Sequence, residues 1–307
     1  MTINVSIALI AYNSEKTILQ TLESINEQTY DHNHIELIIA DDCSQDNTLK
    51  LARDWADNVA SKKLAIKIIE GNSNEGVVKN CNKAWKICSG EWIKTIAADD
   101  ILHKDCVQDN VDFIRENKDA LVVFSKMQII GSEQVVPQSD NLIFNKIDHI
   151  YQSRILLFLN EVPAPTSFMS NILLERLNYA DEEVRNIEDF YLWLKIVKNN
   201  IPLYFLDKVT VYYRVGSGVS SSNEENLINI KYLKYKYSCL GKGIGILTPL
   251  EKIIYIYEQK RDYFSKVAVS KIFSNRKNKL SLFMIKLSNI LSIGIFYKIA
   301  RFLRKAT

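Results

Sequence analysis

The segment Val5–Ala11 is an almost unbroken apolar run near the start of the chain. A strand of this composition is typical of a parallel sheet that is covered by helices on both faces. Further apolar runs at 36–40, 65–69 and 91–96 alternate with segments such as 18–25, whose apolar residues recur at helical spacing. This alternation, with short connections, predicts an α/β fold with a doubly wound, Rossmann-like, mostly parallel sheet.

The pattern loosens after the fourth apolar run. It predicts helices over 106–116, 147–159 and 186–198, extended segments over 120–130, 202–205 and 209–213, and a stiff proline loop over 162–166. A small-residue stretch, Gly216–Asn223, precedes a long helical region. We therefore expect an α/β domain over 1–220 and a helical C-terminal extension over 221–307.

The charge distribution is uneven along the chain. The net charge is only +3, yet the 45 residues from Tyr263 to Thr307 hold ten basic and no acidic residues. A basic end of this kind is typical of contact with an anionic surface. Five cysteines without CxxC spacing favour reduced thiols over a disulfide framework or a zinc site, and no signal-peptide pattern opens the sequence, so we expect a cytoplasmic protein.

Acidic pairs follow two of the predicted strands. Asp41 and Asp42 come after the second strand, and Asp99 and Asp100 come after the fourth. In an open α/β sheet the carboxyl ends of the strands share one crevice, so we expect these carboxylates to converge. Hard oxygen ligands suit Mg²⁺ or Mn²⁺, and such an ion can neutralise a diphosphate leaving group. The alternative for Asp99 and Asp100 is an acidic helix N-terminus without a metal.

Phosphate-binding motifs narrow the choice of enzyme class. Neither GxGxxG nor GxxxxGK[ST] occurs, which argues against a dinucleotide dehydrogenase and a P-loop ATPase. Lys79 follows a glycine turn at the start of a predicted helix and is a candidate for phosphate contact, or else an ordinary surface lysine.

Five motifs in order resemble the family 2 glycosyltransferases, which have the GT-A fold. They are Val5–Asn13, the DDxSxDxT-like Asp41–Thr48, the N-x-G segment that starts at Asn74, Ser89–Ile93, and the Glu188–Asp189 pair. The resemblance spans about residues 3–220. It implies an inverting transferase that moves a sugar from a nucleotide donor, with UDP favoured, to a glycan hydroxyl.

The resemblance also implies residue roles on the donor side. Ala11, Tyr12 and Asn13, at the end of the first strand, would contact the nucleotide, with Tyr12 stacked on a pyrimidine. Asp41 would accept a hydrogen bond from the ring N–H. Lys79 would contact the phosphates or the base edge, and Ala98 would line the nucleotide-sugar site.

The remaining implied roles concern the reaction itself. Asp99 would bind Mn²⁺ or Mg²⁺, Asp100 would orient sugar hydroxyls, and Arg214 would hold the leaving diphosphate. Asp189, next to Glu188, would take the proton from the acceptor hydroxyl.

Three departures from the family pattern matter. Ala97 occupies the position of the first aspartate in the usual Asp-x-Asp metal motif, which leaves Asp99 as one direct ligand. Cys43 replaces a common glycine, and no histidine lies two residues after Arg214. The alternative function is therefore a non-catalytic protein of the same fold that binds sugar nucleotides or glycans.

The tail suggests where the protein works. Residues 280–303 are apolar with interspersed basic residues, but the longest uncharged run, 287–297, has 11 residues, whereas a membrane-spanning helix needs about 20. We expect an interfacial helix on the inner face of the plasma membrane, and no nucleic-acid partner. The resemblance to the family implies an undecaprenyl-diphosphate-linked acceptor there, in surface-polysaccharide (O-antigen or capsule) synthesis. A helix packed on its own domain, or on a second copy in a homodimer, is the alternative.

Overall fold

The computed structural model describes residues 2–59, 64–137, 142–144, 146–157, 162–184, 188–215, 226–238, 245 and 247–288. Within these ranges the strands are β1 (Val5–Ala11), β2 (Ile35–Asp41), β3 (Ala65–Glu70), β4 (Trp92–Ala97), β5 (Ile101–Leu102), β6 (Val122–Ile129), β7 (Val135–Val136), β8 (Phe168–Ser170) and β9 (Tyr204–Tyr213). The helices are α1 (Ile18–Asn26), α2 (Thr48–Val59), α3 (Val77–Ile87), α4 (Cys106–Glu116), α5 (His149–Leu156), α6 (Asn171–Arg176), α7 (Glu188–Lys198), α8 (Ile230–Ser238), α9 (Pro249–Ile272) and α10 (Lys279–Leu287).

All the described strands join one sheet in the order β3-β2-β1-β4-β8-β6-β9-β5, with β7 beside β6. The first four strands are parallel, and β6 is parallel to β9. The short strand β8 runs antiparallel between β4 and β6. The predicted mostly parallel α/β sheet is confirmed.

Helices cover both faces of the parallel half, which explains the continuous apolar strands. In β1 the side chains of Ile7 and Leu9 join the cluster on the α1 side, whereas Ala8 joins the cluster on the α3 side. Leu22 of α1 and Trp85 of α3 are both buried against this part of the sheet. Burial on two faces removes the alternation that marks a half-exposed strand.

The register of the sheet brings the strand ends into line. Ala11 pairs with Asp41, and Ile10 pairs with Ala97, so β1, β2 and β4 finish at one edge. Because β8 is antiparallel to β4, with Lys94 opposite Phe168, the turn that precedes β8 lies at this same edge.

Several elements differ from the sequence prediction. The two extended segments predicted at 202–205 and 209–213 belong to a single strand, β9 (Tyr204–Tyr213), whose pairing with β6 shifts register between Ser125 and Met127. The proline loop contains a 3₁₀ turn at Ala164–Thr166, which is possible because a proline in a first helical turn needs no N–H donor. Strand β8 and helix α6 were not predicted.

The C-terminal helices pack on α7. The Lys198 ammonium lies 2.7 Å from a Glu251 carboxylate oxygen of α9, and the Tyr191 and Tyr255 hydroxyls are 3.1 Å apart. In the described part of the chain, no helix has the length and the apolar character that crossing a membrane requires. The predicted loop Gly216–Asn223, the domain boundary at 220 and residues 289–307 lie outside the described residues.

Candidate active site

The loops after β1 and β2 are tied to each other around Asp41. Its buried carboxylate accepts hydrogen bonds from the Ser44 backbone N–H at 2.8 Å and from the Ser44 hydroxyl at 2.5 Å. Asn13, which has a left-handed φ of 48°, donates its N–H to the Ser44 Oγ at 2.8 Å and accepts from the Gln45 N–H. Tyr12 lies beside this junction with 45% of its side chain exposed. An exposed aromatic residue therefore directly precedes the junction that fixes the Asp41 carboxylate.

The second aspartate of the pair has a different task. Asp42 is buried, and its carboxylate accepts the backbone N–H groups of Glu75 at 3.0 Å and Gly76 at 2.7 Å. Gly76 has a φ of 93° at the N-terminus of α3, a conformation that favours glycine. Asp42 thus fixes the start of α3, a role that the sequence analysis missed. A buried acid and a distant glycine turn gave no local signal for it.

Lys79 lies in the first turn of α3, and its ammonium forms an ion pair with Glu75. Its ammonium is 3.1 Å from a Glu75 carboxylate oxygen, and Lys83 contacts the other oxygen. These two lysines, Lys83 more strongly, lower the pKa of Glu75 to about 2. To contact a phosphate, the Lys79 ammonium must leave Glu75, and its one-third exposed side chain gives it the room to do so.

The two aspartates after β4 differ in burial. Asp100 is buried and accepts the Arg214 backbone N–H at 2.9 Å, whereas Asp99 is only half-buried. Burial is the main reason that the pKa of Asp100 rises to about 7, and the adjacent Asp99 charge adds to the effect. Ala98, which directly precedes Asp99, is buried, and its N–H donates to the Ile10 carbonyl of β1 at 2.9 Å.

Arg214 is held at the same strand end. Its Nε donates to the Asp99 backbone carbonyl at 2.9 Å, and a terminal guanidinium nitrogen donates to the Gln20 side chain at 2.7 Å. The structure therefore joins Arg214 to the Asp99–Asp100 pair, as the site prediction requires.

The donor set for a metal is small. No group of three or more His, Cys, Asp or Glu side chains suited to a metal occurs within the described ranges. The exposed Ala97 offers no ligand and Asp100 is buried, so the half-buried Asp99 is the candidate for a carboxylate ligand at this strand end. One hard oxygen ligand fits a Mg²⁺ or Mn²⁺ ion that a diphosphate also holds, and it does not fit a preformed metal cage.

The predicted base lies at the start of α7. Asp189 is half-buried and interacts electrostatically with Lys236 of α8, whereas the side chain of Glu188 lies outside what the structure describes. Helix α7 is anchored by Trp193, whose ring meets the Phe124 ring of β6 edge-on at 4.6 Å. The role of Glu188 and Asp189 in proton transfer stays a prediction.

Lys94 is a further site residue that the sequence analysis missed. Its side chain is completely buried within β4 and donates to the Pro165 carbonyl at 2.5 Å and the Ser167 carbonyl at 3.4 Å. Burial lowers the pKa of this lysine, and the nearby Asp100 charge opposes that change. Lys94 thus fastens the turn before β8 to the strand that carries Asp99. A single lysine within the apolar run 91–96 was the sequence feature that could have indicated a buried structural role for Lys94.

Comparisons with known proteins agree with this geometry. A model of the family "Glycosyl transferase family 2" matches residues 6–172. The poly(ribitol-phosphate) beta-N-acetylglucosaminyltransferase TarS of Staphylococcus aureus is 28% identical over 221 residues, 71% of this chain and 37% of TarS. The UDP-Glc:alpha-D-GlcNAc-diphosphoundecaprenol beta-1,3-glucosyltransferase WfgD of Escherichia coli is 27% identical over 256 residues, 82% of this chain and 90% of WfgD. The chain therefore spans just over a third of TarS but most of WfgD.

Solved structures show the same fold. TarS 1-349 in complex with UDP-GlcNAc matches with a TM-score of 0.64 at 24% identity, over 93% of this chain and 79% of that one. The mannosyltransferase PcManGT from Pyrobaculum calidifontis in complex with GDP-Man and Mn²⁺ matches with a TM-score of 0.57 at 17% identity, over 94% and 69%. These matches confirm the predicted GT-A fold with a helical C-terminal region.

Proposed function

The chain belongs to glycosyl transferase family 2, and on that premise we propose that it is an inverting, metal-dependent glycosyltransferase. It would move a sugar from a nucleotide-sugar donor to a hydroxyl group of a glycan acceptor. The observation that carries the proposal is the shared edge of β1, β2 and β4, at which an exposed Tyr12, a fixed Asp41 and a half-buried Asp99 all follow or end a strand. The nucleobase would need Tyr12 and Asp41, and a cation shared with the diphosphate would need Asp99.

The donor is proposed to be a UDP-sugar. Asp41 is a pure hydrogen-bond acceptor and retains acceptor capacity after its two bonds from Ser44, since a carboxylate offers about four lone-pair sites. The N–H of a uracil ring is a matching donor. WfgD is named for UDP-Glc, and the TarS structure holds UDP-GlcNAc, which supports uridine over other bases.

The chemistry follows from the residues around the donor. Asp99 would hold a divalent cation jointly with the diphosphate, and the cation would offset the charge that develops on the leaving group. Arg214 and Lys79 would add positive charge to the same oxygens. Asp189 would take the acceptor proton while the hydroxyl attacks the anomeric carbon, and one direct displacement inverts the configuration there.

The acceptor is proposed to be a glycan on undecaprenyl diphosphate in surface-polysaccharide synthesis. The support is WfgD, whose name gives a GlcNAc-diphosphoundecaprenol as its acceptor. This chain matches WfgD over 90% of that protein's length. Such an acceptor would place the reaction at the cytoplasmic face of the plasma membrane.

A transfer assay tests the proposal. The protein would be incubated with Mn²⁺, a panel of UDP-Glc, UDP-GlcNAc and UDP-Gal, and a synthetic lipid that carries GlcNAc α-linked to diphosphate. We expect one donor to give a β-linked disaccharide product together with UDP. Asp189→Asn should lower the rate at least about 10³-fold without weakening UDP binding, because a catalytic base acts on the reaction and not on the nucleotide.

The contrary outcome favours the second candidate function. Ala97, which is exposed at the end of β4 where the family's first metal aspartate would stand, is the feature that supports a binding protein without catalysis. UDP-sugar binding with no transfer to any acceptor, and no effect of Asp189→Asn, would support that alternative.

A further inference from the structure

The end of the C-terminal region exposes an apolar stripe. In α10 the side chains of Leu280, Phe283 and Leu287 are 58%, 56% and 41% exposed, and their spacing places them on one side of the helix. Lys279 and Lys286 flank this stripe at the two ends of the helix. We call these five residues the α10 face.

The opposite side of α10 is fastened to the rest of the protein. Ser281 is buried and its hydroxyl donates to the Arg276 carbonyl at 3.0 Å. Arg261 of α9 donates to the Ser288 carbonyl, just past the helix end, at 2.8 Å. The α10 face is therefore presented outward by a helix that is itself held in place.

The charge along the chain segment that carries this face has a single sign. Residues 271–288 contain five basic and no acidic side chains, all five exposed: Lys271, Arg276, Lys277, Lys279 and Lys286. Apolar side chains that face outward among lysines are the composition of a helix that lies in a lipid headgroup layer, where the ammonium groups reach the phosphates.

Charge also decides between the possible occupants of the face. In a two-fold dimer through this surface, the five positive charges of one copy would meet the same five of the other, which is repulsive. The chain segment 289–307 adds four more basic residues and no acid, so it brings no compensating charge. An anionic lipid leaflet supplies both an apolar layer and the opposite charge.

We propose that the α10 face docks the protein on an anionic lipid surface, with Leu280, Phe283 and Leu287 at the acyl boundary and the lysines at the phosphates. This inference goes beyond sugar transfer and does not require it. The sequence predicted a membrane-surface helix somewhere within 280–303, and the proposal assigns that contact to α10 (Lys279–Leu287).

Contacts among the C-terminal helices connect the α10 face to α7, the helix that begins with the predicted base. Helix α9 holds α10 through Arg261, and it holds α7 through the Glu251–Lys198 ion pair and the Tyr255–Tyr191 hydroxyl contact. Helix α7 begins with Glu188 and Asp189. A membrane contact at α10 would therefore orient the helix that carries the predicted base.

Sedimentation with lipid vesicles tests the docking. The full chain would be mixed with vesicles of phosphatidylglycerol and phosphatidylcholine at 3:7, or of phosphatidylcholine alone. We expect binding to the anionic vesicles, weaker binding as salt rises, and at least a ten-fold smaller partition constant for a triple variant Leu280→Ser, Phe283→Ser, Leu287→Ser. A second variant, Lys279→Gln with Lys286→Gln, should lose about ten-fold without removing any apolar group.

Helix α9 offers a matched control. Leu250, Ile253 and Tyr257 are 66%, 65% and 48% exposed at the same spacing, but Glu251 lies among them. Their replacement by serine should change vesicle binding less than about two-fold. The proposal is overturned if the wild type does not bind anionic vesicles, if both α10 variants bind as it does, or if the α9 control loses as much. It is also overturned if the α10 variants bind vesicles normally and only lose self-association or a contact with 289–307.

Discussion

Asp100→Asn is expected to make the protein more stable in alkaline solution. The Asp100 side chain is 1% exposed and its carboxylate accepts the Arg214 backbone N–H. Asparagine keeps an oxygen that can accept this bond but cannot ionise. The substitution therefore separates the cost of a buried charge from the loss of a hydrogen bond.

The magnitude follows from the pKa of Asp100, which rises from 3.8 to about 7 in the folded protein. Between these values the folded state keeps a proton that the unfolded state has released, so the free energy of unfolding falls as the pH rises. A shift of about three pKa units corresponds to about 4 kcal/mol at pH 8. Below about pH 4 both states are protonated and this contribution to stability is fully present.

Urea unfolding of both proteins between pH 4.5 and 8.5 measures the effect. It is followed by tryptophan fluorescence, with EDTA present so that no cation at Asp99 alters the charge of Asp100. The variant should exceed the wild type by about 1 kcal/mol at pH 4.5 and by up to about 4 kcal/mol at pH 8. Other titrating groups cancel in the difference. A difference that does not change with pH, or a less stable variant at pH 8, would refute the reasoning.

Three further substitutions probe the loops of the site. Asp42→Asn should lower the free energy of unfolding by about 2–3 kcal/mol in urea titration, because the amide NH₂ cannot accept the Gly76 N–H; an unchanged midpoint would contradict this. Lys94→Met should change the free energy of unfolding by less than about 2 kcal/mol. It should accelerate hydrogen exchange of the Thr166 amide about ten-fold, because the turn loses its bond from Lys94 to the Pro165 carbonyl. Unaltered exchange would show that Lys94 does not hold the turn. Cys43→Gly should raise stability by about 0.5–1 kcal/mol, since Cys43 has a φ of 62°, and a loss of stability would argue against strain there.

The parallel half of the fold was predictable because burial on both faces leaves a strong local signal. The run predicted at 65–69 became β3 over Ala65–Glu70, and the segment 18–25 with helical spacing became α1 over Ile18–Asn26. Strand β8 has three residues and no periodic pattern, so only its position between β4 and β6 makes it a strand. The strand β9 continues through Asp207 and Lys208 because the register shift against β6 accommodates them.

The site was predictable to the extent that strand ends converge. Asp41 and Asp99 lie at one edge of the sheet, as the topology requires. The sequence did not distinguish the roles of neighbouring acids: Asp42 binds two backbone N–H groups more than 30 residues away, and Asp100 turns inward to Arg214. These partners are backbone N–H groups, which almost every residue carries, so the residue types in the sequence do not indicate them.

Calorimetry of UDP binding tests the central claim, that the edge formed by β1, β2 and β4 is a metal-assisted donor site. We predict that Mn²⁺ strengthens UDP binding to the wild type at least about ten-fold over EDTA, since diphosphate and Asp99 would share the ion. Asp99→Ala should remove this gain and leave the metal-free affinity unchanged, whereas Asp54→Ala, an exposed acid on α2, should keep it. UDP affinity that is independent of Mn²⁺, or a gain that survives in Asp99→Ala, would contradict the account.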